Sequence, residues 1–285
     1  DSPSLAPTGA PEATTPSASE QERGAPASSA SNEPPTMNAP DETGRGAWVR
    51  DSVGWWWRRA DGTYPASQWV AIGGSRYYFN ANGYMATGWV RDGNDWFYLA
   101  SSGTLLGGWV NDGGSWYYLD PTSGVMHTGM TGVDGTWYYL DSSGAMRTGW
   151  VSLADGWHYF ASSGAQIGGW LHDGGVWYYL DPNSGVMHTG MTGVDGTWYY
   201  MDSSGAMRTG WVSLADGWHF FASSGAQMGG WLHDGGQWYY LDPNTGVMRT
   251  QPLEVGGRRY EFDASGAWRG YEAPAGYLQP TDHIT

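Results

Sequence analysis

The chain contains no cysteine and no lysine, and no apolar run long enough to cross a membrane. Without cysteine there is no disulfide framework, no thiol nucleophile and no thiolate metal site. A spanning helix needs roughly 18 consecutive apolar residues, so no membrane span is expected. Positive charge is scarce as well: 13 arginines stand against 28 acidic residues, a net charge of −15. Such a surface repels nucleic acid and anionic lipid, and neither is expected as a partner. It suits a soluble, self-repelling exported protein.

Aromatic residues are missing from positions 1–46, as are valine and isoleucine, and Leu5 and Met37 are the only large aliphatic side chains there. A segment dominated by Pro, Ala, Ser, Thr and Glu cannot bury enough apolar surface to offset its ordering entropy. Residues 1–46 are therefore expected to be a disordered linker. The chain starts at Asp1 with neither an initiator methionine nor a hydrophobic leader, as expected of a processed export product or an excised piece.

What remains is a nested repeat. Residues 128–188 recur at 189–249 with six differences, Leu140/Met201, Tyr159/Phe220, Ile167/Met228, Val176/Gln237, Ser184/Thr245 and His188/Arg249. Each 61-residue block divides into three units, and units begin at Trp48, Trp69, Trp89, Trp109, Met130, Trp150, Trp170, Met191, Trp211, Trp231 and Pro252. A unit this short cannot bury a core alone, and tandem copies predict a solenoid whose neighbours build a shared core.

Within a unit, an apolar start such as Trp89-Val90 is followed by Asp92-Gly93 and then by Trp96-Phe97-Tyr98-Leu99. Asp-Gly between two β-prone runs predicts a hairpin, so the fold class is all-β, a superhelix of stacked hairpins. A two-residue loop at 92–93 pairs Trp89 with Trp96 across the strands. An Asp-Gly placed later, as at 134–135 or 155–156, slides the pairing by an even step. Alternation then puts Trp89, Trp96 and Tyr98 on one face and Val90, Phe97 and Leu99 on the other. One face should form the stacking core and the other should present the aromatic rings.

Two Trp and a Tyr around a gap between hairpins would offer several π faces to a small cation. A quaternary ammonium suits such a cage, with attraction of roughly 0.5–2 kcal/mol per ring. Sugar rings, whose C–H faces also stack on indoles, are the rival guest. The methionines at 126, 146, 187, 207 and 248 are expected to pack between hairpins more than to line such cages.

Thr-Gly-Trp, a short turn, Trp-Tyr-Tyr-Leu-Asp and Ser-Gly-Ala-Met together resemble the choline-binding, or cell-wall-binding, repeat of Gram-positive surface proteins. Thr128–Met146 carries the pattern except for Met130 in place of the first Trp, and the likeness extends over about 47–270 in eleven copies. The resemblance implies a left-handed superhelix with about three hairpins per turn, binding choline on teichoic acid; related repeats of glucan-binding proteins take carbohydrate. The partner would be choline-bearing teichoic acid or another cell-wall polysaccharide, with no cofactor and no metal.

In that family a site takes two Trp from one hairpin and an aromatic residue from the next. Carried onto this chain, the pairs are Trp48 with Trp55, Trp89 with Trp96, Trp109 with Trp116, Trp150 with Trp157, Trp170 with Trp177, Trp211 with Trp218 and Trp231 with Trp238. Tyr98, Tyr118, Tyr139, Tyr159, Tyr179, Tyr200, Phe220 and Tyr240 are the implied third walls. The exceptions fall in units 61 residues apart: Trp69 with Arg76, Met130, Met191, and Pro252 with Arg259. If three hairpins make a turn, every third hairpin lacks an intact pair along one edge of the superhelix.

No catalytic constellation stands out. His127/His188, His158/His219 and His172/His233 are 61-residue copies of one another, and the Asp-Gly-Gly turns lack the spacing of calcium loops. The unit at Pro252, with Arg258 and Arg259, suits a polar cap. The ending Gly270 to Pro280 is similar to junctions that precede further modules in actinobacterial wall proteins. The expected context is a targeting part of a larger cell-wall hydrolase or transpeptidase, or else a surface adhesin, on the bacterial envelope; residues 271–285 would be a tail or linker.

Overall fold

The computed structural model describes residues 40–270, and among them there are strands and turns but no helix. Eleven two-stranded antiparallel sheets, each formed by consecutive strands, account for the regular structure. They fall into two compact units, 40–167 with six hairpins and 168–270 with five. Positions 1–39 of the expected linker and the tail 271–285 lie outside the described residues.

The last residues assigned to the linker are ordered. The Glu42 amide donates to the Ala71 carbonyl at 2.9 Å, the Ala71 amide donates to the Pro40 carbonyl at 3.1 Å, and the first strand already starts at Gly46. Composition misassigns 40–46 because backbone bonds and the Arg59 ion pair to the buried Glu42 hold this segment, with no apolar burial of its own.

The hairpins share one register, and it differs from the expected one. Gly88–Asp92 pairs with Asp95–Leu99 so that Trp89 faces Tyr98 and Arg91 faces Trp96. The turn is therefore Gly93-Asn94, one residue beyond Asp92-Gly93, with Gly93 at φ 61°. Asp92 stays in the strand because its carboxylate accepts the indole N–H of Trp69, in the preceding hairpin, at 3.0 Å. Nor does the pairing slide from unit to unit: Met130 faces Tyr139 and Trp150 faces Tyr159 in the same way. Asp134 and Gly135 occupy the turn, at φ 50° and 79°, whereas Gly156 lies past it as the first residue of its strand.

The expected Trp-to-Trp cross-strand pairing is accordingly not formed in the later hairpins either. Trp157 stands opposite Ser152 and not Trp150, Trp218 opposite Ser213 and not Trp211, and Trp238 opposite His233 and not Trp231. In the hairpin of Trp69, Tyr78 and not Arg76 stands opposite the Trp. The displacement is an even step, so the expected faces survive.

On the inner face the equivalent position of eight successive hairpins carries a fully buried side chain. Leu99, Leu119, Leu140 and Phe160 play this part in the first unit, and Leu180, Met201, Phe221 and Leu241 in the second. Neighbouring hairpins are joined by backbone bonds, such as the Met126 amide to the Trp96 carbonyl at 2.8 Å. The methionines pack between hairpins as expected. Gly144, at φ 84°, leaves room for the Met126 sulfur, which a Cβ there would overlap. The hairpin at Pro252 exposes Arg258 and Arg259 but buries Tyr260 and Phe262.

Candidate functional site

Trp89 shows how the outer face is built. Its ring meets Trp96 at 6.4 Å and 84°, and Tyr98 at 5.0 Å and 73°. Two indoles at nearly a right angle make two walls of a corner, and Trp96 keeps 41% of its surface exposed. The next hairpin contributes Tyr117, edge-on to Trp89 at 4.7 Å, and Asp112, which accepts from the Trp89 indole at 3.0 Å and from the Tyr98 hydroxyl at 3.1 Å. Burial, with the Asp112 carboxylate next to it, pushes the Tyr98 hydroxyl pKa up, so it stays a proton donor.

The same construction recurs, with differences in the second wall. Trp48 meets Trp55 at 6.4 Å and 89°, and Trp170 meets Trp177 at 6.2 Å and 85°. Trp116 shares its face with Trp109 through the same register, but Trp109 is only 3% exposed and belongs to the core cluster of Tyr138 and Leu140. Trp157 and Trp218 keep the position of a second wall but depart from the closed corner: each is 47% exposed, with only the small Ser152 or Ser213 across the strand to lean on. Trp238 leans on its cross-strand partner His233, with ring centroids 4.7 Å apart at 40°, just as Trp177 leans on His172 at 4.8 Å. Histidine is thus a wall element that reading the repeat for Trp and Tyr missed.

Tyr118, Tyr159, Tyr179 and Tyr240 each pack on the first Trp of their own hairpin, as Phe220 does on Trp211. Tyr139 and Tyr200 stand opposite methionines, Met130 and Met191. The ring supplied by the following hairpin is a different residue from the one the resemblance implied. It is the aromatic immediately after the second Trp or its replacement: Tyr77 on Trp48, Tyr138 on Trp109, Tyr199 on Trp170, Tyr239 on Trp211 and Tyr260 on Trp231, all within 5 Å between centroids. Alternation assigns these to the stacking face, which is correct, but that face meets the Trp of the preceding hairpin. The doubled aromatic in Trp-Tyr-Tyr is the signal that could have found them.

Two kinds of corner emerge. Behind Trp89 and Trp211 an aspartate, Asp112 or Asp234, takes the indole N–H. Behind Trp109, Trp170 and Trp231, the equivalent residue is Val133, Val194 or Val255. The buried indole nitrogens of Trp170 and Trp231 find no partner among the described residues.

The exceptional hairpins are filled or blunted. Arg76, only 3% exposed, lays its guanidinium 4.9 Å from the Trp69 ring centroid. None of its side-chain nitrogens has a hydrogen-bond partner among the described residues, and burial pulls its pKa down. A buried, unpaired charge is costly. Arg76→Met should therefore raise stability by about 1–3 kcal/mol in urea unfolding, and a lower midpoint would refute this account. Met130 and Met191 leave Trp137 and Trp198 without an indole partner and about half exposed. The histidines at 158 and 219 are structural: His158, buried, meets Asp155 through Nε2 at 3.0 Å and the Gln166 amide through Nδ1 at 2.9 Å, and His219 repeats this with Asp216 and Gln227.

Serial hairpins, seven of the eleven with a pair of indoles on one face, define an aromatic repeat. A choline-binding repeat model matches residues 66–107, 86–129, 148–189 and 209–251, and a putative cell wall binding repeat model matches 133–146 and 194–207. The chain belongs to the choline-binding repeat family. Among solved structures it is similar to CbpJ from Streptococcus pneumoniae TIGR4, at 29% identity and TM-score 0.61, over 78% of this chain and 94% of that one. Choline binding protein F from Streptococcus pneumoniae, crystallised with a peptidoglycan analogue, matches at 27% identity and TM-score 0.52, over 79% of this chain and 98% of that one. The modular autolysin LytC from Streptococcus pneumoniae matches at 30% identity and TM-score 0.53, over 72% of this chain but 48% of its own. No curated protein matches closely enough to count.

Proposed function

We propose that the chain is a non-catalytic, multivalent module that holds a secreted protein on the bacterial cell wall by gripping choline groups of teichoic acid. The corner at Trp89 carries this reading. It offers indole faces at 84°, while each carboxylate oxygen of Asp112 is already engaged by a protein donor. Such a site supplies negative charge and π faces, with about half of the carboxylate's acceptor positions already taken. A quaternary ammonium needs nothing more, whereas a sugar would leave hydroxyls poorly matched.

Seven corners, headed by Trp48, Trp89, Trp109, Trp150, Trp170, Trp211 and Trp231, are the sites on this reading. Trp157 and Trp218 act in it as outer walls that swing onto the guest, Trp238 as a wall backed by His233. Each 61-residue period then holds three hairpins, two ligand-binding and one not. Each site alone binds at roughly millimolar strength, and tethered sites on a polymer gain roughly 10²–10⁴ in avidity. The context is anchoring or targeting, as a part of a wall-remodelling enzyme or of an adhesin.

Calorimetric titration with choline tests the count. Saturation near seven is expected, one fewer after Trp96→Ala and unchanged after Trp137→Ala, because Trp137 lacks an indole partner. Saturation near eleven would overturn the assignment of sites. Release of the bound chain from wall fragments by glucose oligomers, and not by choline, would overturn the ligand.

A further inference from the structure

The first hairpin carries an aromatic pocket that the repeat does not explain. Four of the five later hairpins of this unit press the aromatic after their second Trp, or after its replacement, onto the Trp of the hairpin before: Tyr77 on Trp48, Phe97 on Trp69, Tyr117 on Trp89 and Tyr138 on Trp109. Trp56 holds that position in the hairpin of Trp48, and no described hairpin precedes it. Its indole instead meets Tyr64 edge-on at 6.2 Å and 79°. Trp56 bridges Tyr84 along the backbone, and these rings line a pocket of about 230 Å³ together with Asp51, Asn82 and Gly83. Gly83, at φ 82°, is what lets the Tyr64 ring approach, since a Cβ there would collide with it.

Asp51 is the sole ionised side chain of the lining, and its carboxylate is crowded with donors. The Val53 and Gly54 amides reach Oδ1 at 2.8 and 3.1 Å, and the Tyr84 hydroxyl reaches Oδ2 at 3.0 Å. The backbone amides foremost, together with the Tyr84 hydroxyl, hold the Asp51 pKa below the usual carboxylate range. A carboxylate has about four acceptor sites, so this one keeps its charge with almost no capacity left for a ligand's hydroxyls. The pocket is also smaller than those that take drug-sized molecules, roughly 300–1,000 Å³.

We propose that Trp56, Tyr64, Tyr84 and Asp51 form an additional binding site, outside the repeat corners, for a small organic ammonium of the tetramethylammonium type. Three rings supply the π faces and Asp51 the charge, and the guest needs no hydrogen bond. The site stands on these residues alone, so the corners could fail to bind and leave it intact.

The test uses the full chain, with the indole N–H signals observed by NMR and that of Trp56 identified through Trp56→Phe. Tetramethylammonium should shift the Trp56 signal saturably. Asp51→Asn, which retains an acceptor for the turn, should weaken that titration by roughly 3- to 10-fold, with the circular dichroism spectrum unchanged. If Asp51→Asn disturbs the hairpin, Tyr64→Ala on the exposed side of the pocket serves in its place. A Trp56 signal that stays still while other indoles saturate would overturn the site and leave the corners standing. A shift of Trp56 with N-acetylglucosamine but not with tetramethylammonium would overturn the ligand class.

Discussion

Replacing Leu140 with alanine is expected to destabilise residues 40–167 by about 2–5 kcal/mol, the range for emptying a buried leucine site. Leu140 is 0% exposed and clusters with Trp109 and Tyr138, flanked by Trp116, Val133 and Met146. Leu119 and Phe160 are the equally buried residues of the neighbouring hairpins. A hairpin of two five-residue strands is marginal by itself, so this one depends on the cluster around Leu140. In a repeat array such a break weakens both neighbours through their shared interface. Trp137→Ala removes a larger ring from the same hairpin, but that ring is 51% exposed, so its cost should be well under that of Leu140→Ala. Urea unfolding followed by circular dichroism measures both, and a loss under about 1 kcal/mol for Leu140→Ala would contradict this role for Leu140.

Legibility in the sequence follows the range of the forces involved. Local alternation is a two-residue property, so the faces of Trp89, Trp96, Tyr98 and of Val90, Phe97, Leu99 can be read correctly even where the turn is misplaced. The turn is misplaced because Asp92-Gly93 is a good local signal that loses to a distant one. Asp92 is held in the strand by Trp69, twenty-three residues earlier, and Gly93 with Asn94 can make the turn instead. A contact between hairpins leaves no trace in the local pattern of either. The same limit explains why alternation assigns Tyr117 and Tyr138 to the core face without also placing them at the back of the preceding corner.

The exceptions are legible in position but not in consequence. Arg76 is visible as a missing Trp; that its guanidinium lies over Trp69 is a product of the folded register. Likewise the sequence treats Trp157, Trp218 and Trp238 as equivalents of Trp96, and it is the residue across the strand, serine or histidine, that makes them differ. Two further regularities follow from the fold. Val133, Val194 and Val255 mark the hairpins that follow Trp109, Trp170 and Trp231, so the exceptional hairpins also set the polarity behind the corner before them. Trp56 becomes notable only once the partner of every later residue in its position is known.

Acid should unfold the array cooperatively below about pH 4, the ordinary range of aspartate titration. The turns that link hairpins are tied by aspartates: Asp141 Oδ1 accepts the Ser143 amide at 2.9 Å, the Ser143 hydroxyl at 2.6 Å and the Ala145 amide at 3.2 Å. Asp202 and Asp263 repeat the arrangement. These bonds, the serine hydroxyl first, lower the pKa of all three carboxylates. Asp120 and Asp181 are lowered mainly by the amides of Ser123 and Ser184, and Asp155 and Asp216 by His158 and His219. A carboxylate whose folded pKa is depressed contributes stability that is complete above its unfolded value and is lost as pH falls through the folded one. The opposing effect is relief of self-repulsion as the net charge of −15 is neutralised. That relief is spent near the isoelectric point of about 4.6, above the window in which the turn carboxylates protonate, so the loss of turn bonds decides the outcome. Near-ultraviolet circular dichroism, dominated here by 20 Trp, should hold from pH 7 down to about 4 and collapse on further acidification. A chain with asparagine at Asp141, Asp202 and Asp263 should keep its fold at neutral pH and show a shallower acid limb, since three of the titrating groups are gone. A spectrum unchanged down to pH 2 would mean that the turn carboxylates do not hold the hairpins together.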